Sequence, residues 1–291
     1  MKNIKNKFSN VDRLYKIFIY VALITLAISI IVPVAWVFMA SIKENKEFYS
    51  NPWALPAGIY FQNFINAFEK ASMGNYFINS VISTALALII LLVVSLPASY
   101  VLARYKFKGK KILNTLFMAG LFINVNYIVV PIFLMLMGWD DALNLSFFLD
   151  NIFVLAVVYA STAIPFTVYL LSSYFQTLPK AYEEAALIDG CGYFKTMIKV
   201  MIPMAKPSIV TVILFNFLAF WNEYIIALTL MSGSNRTLPV GLLALMQASR
   251  GKAEYGMMYA GLVIVMLPTL VLYIMVQKKL TQGMTLGGLK D

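Results

Sequence analysis

Long apolar runs alternate with short polar stretches along the whole chain. Charge-free windows cover 17–42, 71–103, 112–139, 151–179 and 255–277, and a sixth window, 207–235, carries one charge, Glu223. A membrane-spanning helix needs about 20 mostly apolar residues. Each window is long enough, so the pattern predicts six spans and an all-α polytopic fold. The first window follows a basic tail, as a signal peptide does. Its apolar stretch is longer than a typical h-region and reads as an uncleaved anchor.

One polar stretch, about 176–207, has a pattern of its own. Pro179 suits the first turn of a helix. Ala181, Ala185 and Ala186 favour helix, and Glu183 and Glu184 lie near the amino end, where the dipole favours acids. Gly190 suits a helix end, where glycine adopts a left-handed conformation at little cost. The run YFKTMIKVMIP then predicts a second helix before Pro203, joined to the first at Gly190 and Gly192.

Composition agrees with a membrane protein. Hydrophobic residues make up 61% of the 291 and charged residues 12%, with a mean hydropathy of +0.79. Soluble domains are nearer half apolar and a quarter charged. The chain has no His and one Cys, which excludes His-based metal sites, Ser-His triads and internal disulfides. No G-x-x-x-x-G-K-[ST] loop is present, so no cofactor or nucleotide site of its own is expected.

The net charge of +10 is explained by where the charges lie. Lys2, Lys5, Lys7, Arg13 and Lys16 precede the first window against one acid, Asp12. Arg104, Lys106, Lys108, Lys110 and Lys111 follow the second; Lys180, Lys195, Lys199 and Lys206 follow the fourth; Lys278, Lys279 and Lys290 follow the sixth. These four segments share one side and hold most of the 23 basic residues. The third loop has only Asp140, Asp141 and Asp150. The positive-inside rule puts both termini in the cytoplasm. Topology thus accounts for the charge, and no nucleic-acid partner is expected.

The stretch EEAALIDG (183–190) then faces the cytoplasm. A surface-bound amphipathic helix should carry Lys and Arg on its polar face. Here two adjacent acids sit among small alanines, which let another surface approach closely. That reads as a docking knob for a protein partner, against the plainer reading of a solvated connector.

At these residues the chain resembles the permeases of binding-protein-dependent ABC importers, whose cytoplasmic signature is E-A-A-x3-G-x9-I-x-L-P. Glu184, Ala185, Ala186 and Gly190 match its first part, and Val200, Ile202 and Pro203 fill the second with conservative changes. Asp189, PMAKP (203–207), Asn79–Ser80, ASYVLARYKFKG (98–109), WNEY (221–224), TLPVGL (237–242) and LTQGMTLGGLKD (280–291) resemble the carbohydrate-uptake branch. The likeness is to the smaller, six-span subunit of maltose-type and multiple-sugar importers, with a type I ABC importer fold. It implies a second, homologous permease subunit, two ATPase subunits that bind ATP and Mg, and an extracellular or periplasmic sugar-binding protein. It also implies that Glu183, Glu184, Ala185, Ala186, Asp189 and Gly190 form the coupling contact with one ATPase, Glu184 pairing with a basic residue there.

Other residues have two readings. Glu223 is the only acid inside a window. Intramembrane acids usually face a bundle interior or a water path. If the span starts near Pro207, Glu223 lies about 24 Å along it at 1.5 Å per residue, toward the outer side, with Asn216 on the same face. Glu223, Asn222 and Asn216 read as outer-gate lining or as interfacial residues beside Trp221. Asn79, Ser83, Asn124, Asn126 and Tyr127, with Thr84, Tyr159, Ser161 and Thr162, read as a sugar path or as polar packing between helices. The outer segment 232–254, with Arg236, Arg250 and Lys252, reads by resemblance as a finger toward the binding protein, or as a solvent loop.

The expected organisation is a cytoplasmic tail, first span and outer loop over 1–74, the importer domain over 75–277, and a cytoplasmic tail over 278–291. The expected function is passage of a sugar or oligosaccharide across a prokaryotic cell membrane, with no catalysis by this chain. A self-sufficient secondary transporter is the alternative. It would need inverted repeats or several intramembrane acids. No repeat is evident, and Glu223 stands alone.

Overall fold

The structure is a computed structural model. It describes the backbone of residues 2–69, 72–252 and 254–288, and the side chains of residues 13, 15–69, 72–247, 249, 254–275 and 277. The side chains of Lys2, Lys5, Lys7, Asp12, Arg250, Lys252, Lys278, Lys279 and Lys290, and those of the stretch 280–291, lie outside that set.

Among the described residues the secondary structure is helical, with no strand. The helices are α1 (Lys2–Ser41), α2 (Asn45–Ser50), α3 (Gln62–Glu69), α4 (Met73–Arg104), α5 (Lys110–Gly120), α6 (Val125–Leu143) and α7 (Ile152–Thr177). Then come α8 (Ala181–Ile188), α9 (Tyr193–Met204), α10 (Lys206–Trp221), α11 (Ile225–Leu230), α12 (Leu238–Lys252) and α13 (Tyr255–Gly288). Pro33, Pro97, Pro131, Pro165 and Pro268 all lie inside helices. Membrane helices tolerate them because neighbouring groups satisfy the freed carbonyls.

Among the described residues five segments are long and apolar enough to cross a membrane: Tyr15–Ser41, Met73–Arg104, Val125–Leu143, Ile152–Thr177 and Tyr255–Met275. A sixth is counted if α9 and α10, bent by 74° where they meet, form one span. Two of the expected windows are not single helices. Window 112–139 is divided between α5 and α6, because the Asn124 side chain accepts from the Asn126 amide and starts a new helix. Window 207–235 is interrupted after Trp221. The Glu223 carboxylate accepts from the amides of Ile226 and Ala227 at 2.8 and 3.0 Å and starts α11. A local cap competes with helix continuation at both breaks. Asp140 and Asp141, expected in a loop, lie in the last turns of α6. There the Asp140 carboxylate accepts from the amides of Phe147, Phe148 and Leu149.

The chain divides into two compact units, Met1–Ala71 with Leu245–Ile264, and Ser72–Ala244 with Val265–Asp291. In the first, Trp36 meets the rings of Phe48, Trp53 and Tyr259. Buried Lys43 donates to the carbonyls of Asn51 and Pro52, and buried Asn63 to those of Ser41 and Lys43. The apolar side chains of α1 from Ile17 to Val32 are exposed, as a lipid- or partner-facing helix requires.

In the second unit α4 packs along α7. Small buried residues on α4, among them Ser80, Ser83, Thr84, Ala87, Ser95 and Ser99, allow the close approach. Two apolar clusters lie along this pair. One joins Leu91, Leu155 and Tyr159 to Phe220, Ile226 and Leu230. The other joins Tyr100, Leu171 and Phe175 to Met197, Met201, Ala205 and Val212, and it anchors α9. A π-helical turn at Met197–Met201 lies within α9, and both methionines are buried.

Candidate functional site

The site is built on α8, eight residues long. Its faces are set by the 3.6-residue period. Glu183 and Ala186 turn inward, and Ala186 is buried. Glu184, Ala185, Leu187, Ile188 and Asp189 are exposed, and Ile188 is 87% exposed. The two adjacent acids therefore have different surroundings.

Glu183 is held inside the protein. Arg104, the last residue of α4, donates from Nε and Nη2 to Oε2 of Glu183 at 2.9 and 2.6 Å. Its Nη1 donates to the carbonyls of Leu178 and Phe175 at 2.9 and 3.3 Å. Tyr100 donates to Oε1 of Glu183 at 2.8 Å. The Arg104 and Glu183 side chains are only 7% and 21% exposed. One guanidinium thus binds the end of α4, the open carbonyls at the end of α7 and the first turn of α8. A single lysine nitrogen lacks the geometry for all three. The tying role of Arg104 escaped sequence reasoning, where it counted as a topological charge and as part of the stretch ASYVLARYKFKG. The available signal was one arginine in an otherwise lysine-only loop.

The Glu184 side chain has no hydrogen bond or ion pair within the chain among the described residues. Nearby in sequence, Ile188, Tyr193 and Phe194 expose apolar side chains, and Asp189 and Lys195 are exposed charges.

The helix ends as its sequence predicts. Gly190 has φ +75°, the left-handed region. The Gly190 amide donates to the Leu187 carbonyl at 3.0 Å and the Cys191 amide to that of Ala186 at 2.8 Å, the paired bonds of a Schellman motif. A Cβ at Gly190 would meet nothing within 4 Å, so substitution costs backbone strain alone. Gly190→Val should therefore be less stable than Gly190→Asn by about 1–2 kcal/mol, since Asn tolerates this region and a β-branched residue does not. Thermal unfolding of the purified variants checks this; equal midpoints would remove the conformational argument.

The candidate path residues do not converge. Asn79 donates to the Arg236 carbonyl, and Ser83 to that of Ser80. Asn124 caps α6, Asn126 is exposed beside it, and Tyr127 is 81% exposed. Asn216 is buried and donates to Thr167 Oγ1 at 3.1 Å and to the Val212 carbonyl. Asn222 is exposed and donates to its own helix at Leu218. Glu223, besides capping α11, accepts from Tyr159 at 2.9 Å. Asn216 and Glu223 thus share a face, as expected, but it is packed against α7. A mostly apolar recess of about 550 Å3, lined chiefly by α6 and α7, is lined by two further path candidates, Ser161 and Thr162, and by none of these eight residues.

The outer segment 232–254 is not a loop. Most of it is α12, with Leu238, Val240 and Leu245 buried and the Leu238 amide bonded to Ser80 Oγ at 2.7 Å. The turn before it is tied to Asp150, which accepts from the Gly233 amide and whose carbonyl accepts from Asn235.

Comparison with known proteins decides the family. The profile described as binding-protein-dependent transport system inner membrane component matches residues 95–282, well over half of the chain. The chain belongs to this family. The permease is 34% identical over 277 residues to a diacetylchitobiose uptake system permease protein of Streptomyces coelicolor, covering 95% of this chain and 89% of the relative. It is 28% identical over 283 residues to a trehalose/maltose transport system permease protein of Thermococcus litoralis, covering 95% and 98%. It superposes on a bacterial ABC transporter involved in import of the acidic polysaccharide alginate with a TM-score of 0.78 at 23% identity, over 92% of the permease and 96% of that chain. The permease has the fold of an ABC importer membrane subunit and is a multi-pass protein of a prokaryotic cell membrane. This displaces the secondary-transporter alternative.

Proposed function

We propose that this permease is one of two homologous membrane subunits that together carry a sugar or oligosaccharide into the cytoplasm. An external binding protein delivers the sugar. ATP, with Mg, is hydrolysed on two separate ATPase subunits, and this chain performs no catalysis and needs no cofactor. Both termini are cytoplasmic, and residues 75–277 are the importing domain. The outward face of α8, with Glu184, Ala185, Asp189 and the turn at Gly190, docks on one ATPase.

The observation that carries this reading is the division of labour on α8. Glu183 is fixed to α4 and α7, while the Glu184 side chain is exposed and has no partner among the described residues. A rigid knob with a free acid suits transmission of movement from a soluble subunit to the spans. The sugar cargo is supported by relatives named for diacetylchitobiose and for trehalose/maltose uptake.

The test is reconstitution of both permeases, the ATPase and the binding protein in proteoliposomes. The expected result is ATP-dependent uptake of the sugar that the binding protein retains. ATP hydrolysis without uptake of any retained sugar would count against the cargo. Cys191, half-buried and free, reports the orientation. An impermeant maleimide should label it in inside-out vesicles and not in intact cells, and added ATPase should slow the labelling. Labelling in intact cells would reverse the topology.

A further inference from the structure

Beside the docking knob, the segment that follows α4 carries a second charged feature which the proposed function does not use. Lys106, Lys108, Lys110 and Lys111 fall within six residues, and no acid occurs between residues 105 and 139. Arg104 is already committed to Glu183. Among the described residues none of the four lysines has a carboxylate partner. Lys110 is fixed by donation to the Tyr105 carbonyl at 2.9 Å. Lys106, Lys110 and Lys111 line an open recess of about 590 Å3 together with Phe107, Asn114, Thr115 and Met118.

Three properties identify what fits there. The recess is cationic with no carboxylate paired to its lysines among the described residues, so its ligand is an anion. Asn114 and Thr115 stand one turn into α5; Asn114 adds a neutral hydrogen-bonding group beside the ammonium groups, while the Thr115 hydroxyl donates to the Lys111 carbonyl. The same helix exposes Ile112, Leu113 and Leu116, and Phe107 and Met118 are exposed at the recess, so the ligand or its surroundings are also apolar. The feature begins two residues past the end of the span Met73–Arg104, where headgroups lie.

We infer that the recess formed by Lys106, Lys110, Lys111, Asn114 and Thr115 binds the phosphodiester headgroup of an anionic phospholipid, whose acyl chains lie along the apolar side chains of α5. Basic groups at a span end attract anionic headgroups electrostatically. Here they are arranged around a recess rather than strung along a disordered tail. The inference needs only that Met73–Arg104 spans the membrane, and it stands whether or not α8 docks an ATPase.

The test uses the full-length permease, delipidated in detergent, and phosphatidylglycerol or phosphatidylcholine labelled on an acyl chain. Phosphatidylglycerol should bind more tightly, and Lys106→Gln with Lys111→Gln should weaken it roughly tenfold or more, as loss of two charges near a headgroup implies. Lys195→Gln with Lys199→Gln, in the neighbouring basic segment, should leave the affinity unchanged. Both pairs are exposed, so neither change removes a folding contact. Equal affinity for the two lipids, or an unchanged affinity in the Lys106/Lys111 variant, overturns the inference. So does competition by inorganic phosphate at the lipid's own concentration, which would indicate a free-anion site. Normal lipid binding with loss of ATPase copurification in that variant would assign the surface to the protein partner and overturn it too.

Discussion

Arg104→Ala should reduce sugar uptake by about tenfold or more while the permease still inserts, because breaking a buried ion pair from one side costs about 3 kcal/mol. The substitution leaves Glu183 without its cation and the carbonyls of Phe175 and Leu178 without a donor. The end of α4, the end of α7 and the start of α8 then lose their common tie. The movement of α8 would no longer be passed to the spans. Arg104→Lys should recover part of the loss, since it restores charge without the several-fold geometry. Glu183→Gln should be milder than Arg104→Ala, because the amide oxygen still accepts from Tyr100. Uptake and ATP hydrolysis measured together in proteoliposomes check this. Uptake at the wild-type level in Arg104→Ala would show that the tie is not needed for transport.

Glu184→Lys should fail in a different way. Glu184 is exposed and free of internal partners among the described residues, so its reversal should leave thermal stability unchanged. At a close contact with a basic residue, reversal converts attraction into repulsion, which costs several kcal/mol. ATPase copurification should fall by about tenfold or more, with uptake falling in parallel. Glu184→Gln removes the attraction without adding repulsion and should fall between. Full copurification of the ATPase by Glu184→Lys would place the docking contact elsewhere. The two substitutions separate the adjacent acids: Arg104→Ala, through Glu183, should lower stability and uptake together, and Glu184→Lys should lower docking and uptake while leaving stability unchanged.

The helix α8 and its left-handed end were legible because their cues are local. The helix start near Pro179, the alanines and the left-handed Gly190 act within one turn, and the Schellman bonds follow from them. The two acids looked alike in sequence. Their difference arises from Arg104, 79 residues away from Glu183, and from Tyr100. No local pattern reports such a pairing. The outer segment 232–254 misled for the opposite reason. Its polar residues and glycines read as a loop, whereas Leu238, Val240 and Leu245 are buried along a helix.

The sequence by itself determined that the protein is a helical membrane protein, and where the short helix α8 ends at Gly190. Hydropathy and helix-end chemistry are properties of neighbouring residues, so they can be read in order along the chain. Only the tertiary structure decided which polar groups face inward and where apolar runs are interrupted. Asn216 turns to Thr167, and Glu223 turns to Tyr159 while capping α11, partners that no neighbouring residue in the sequence indicates. A buried polar group must find a partner because burial without one is costly, and that partner is supplied by another helix distant in sequence.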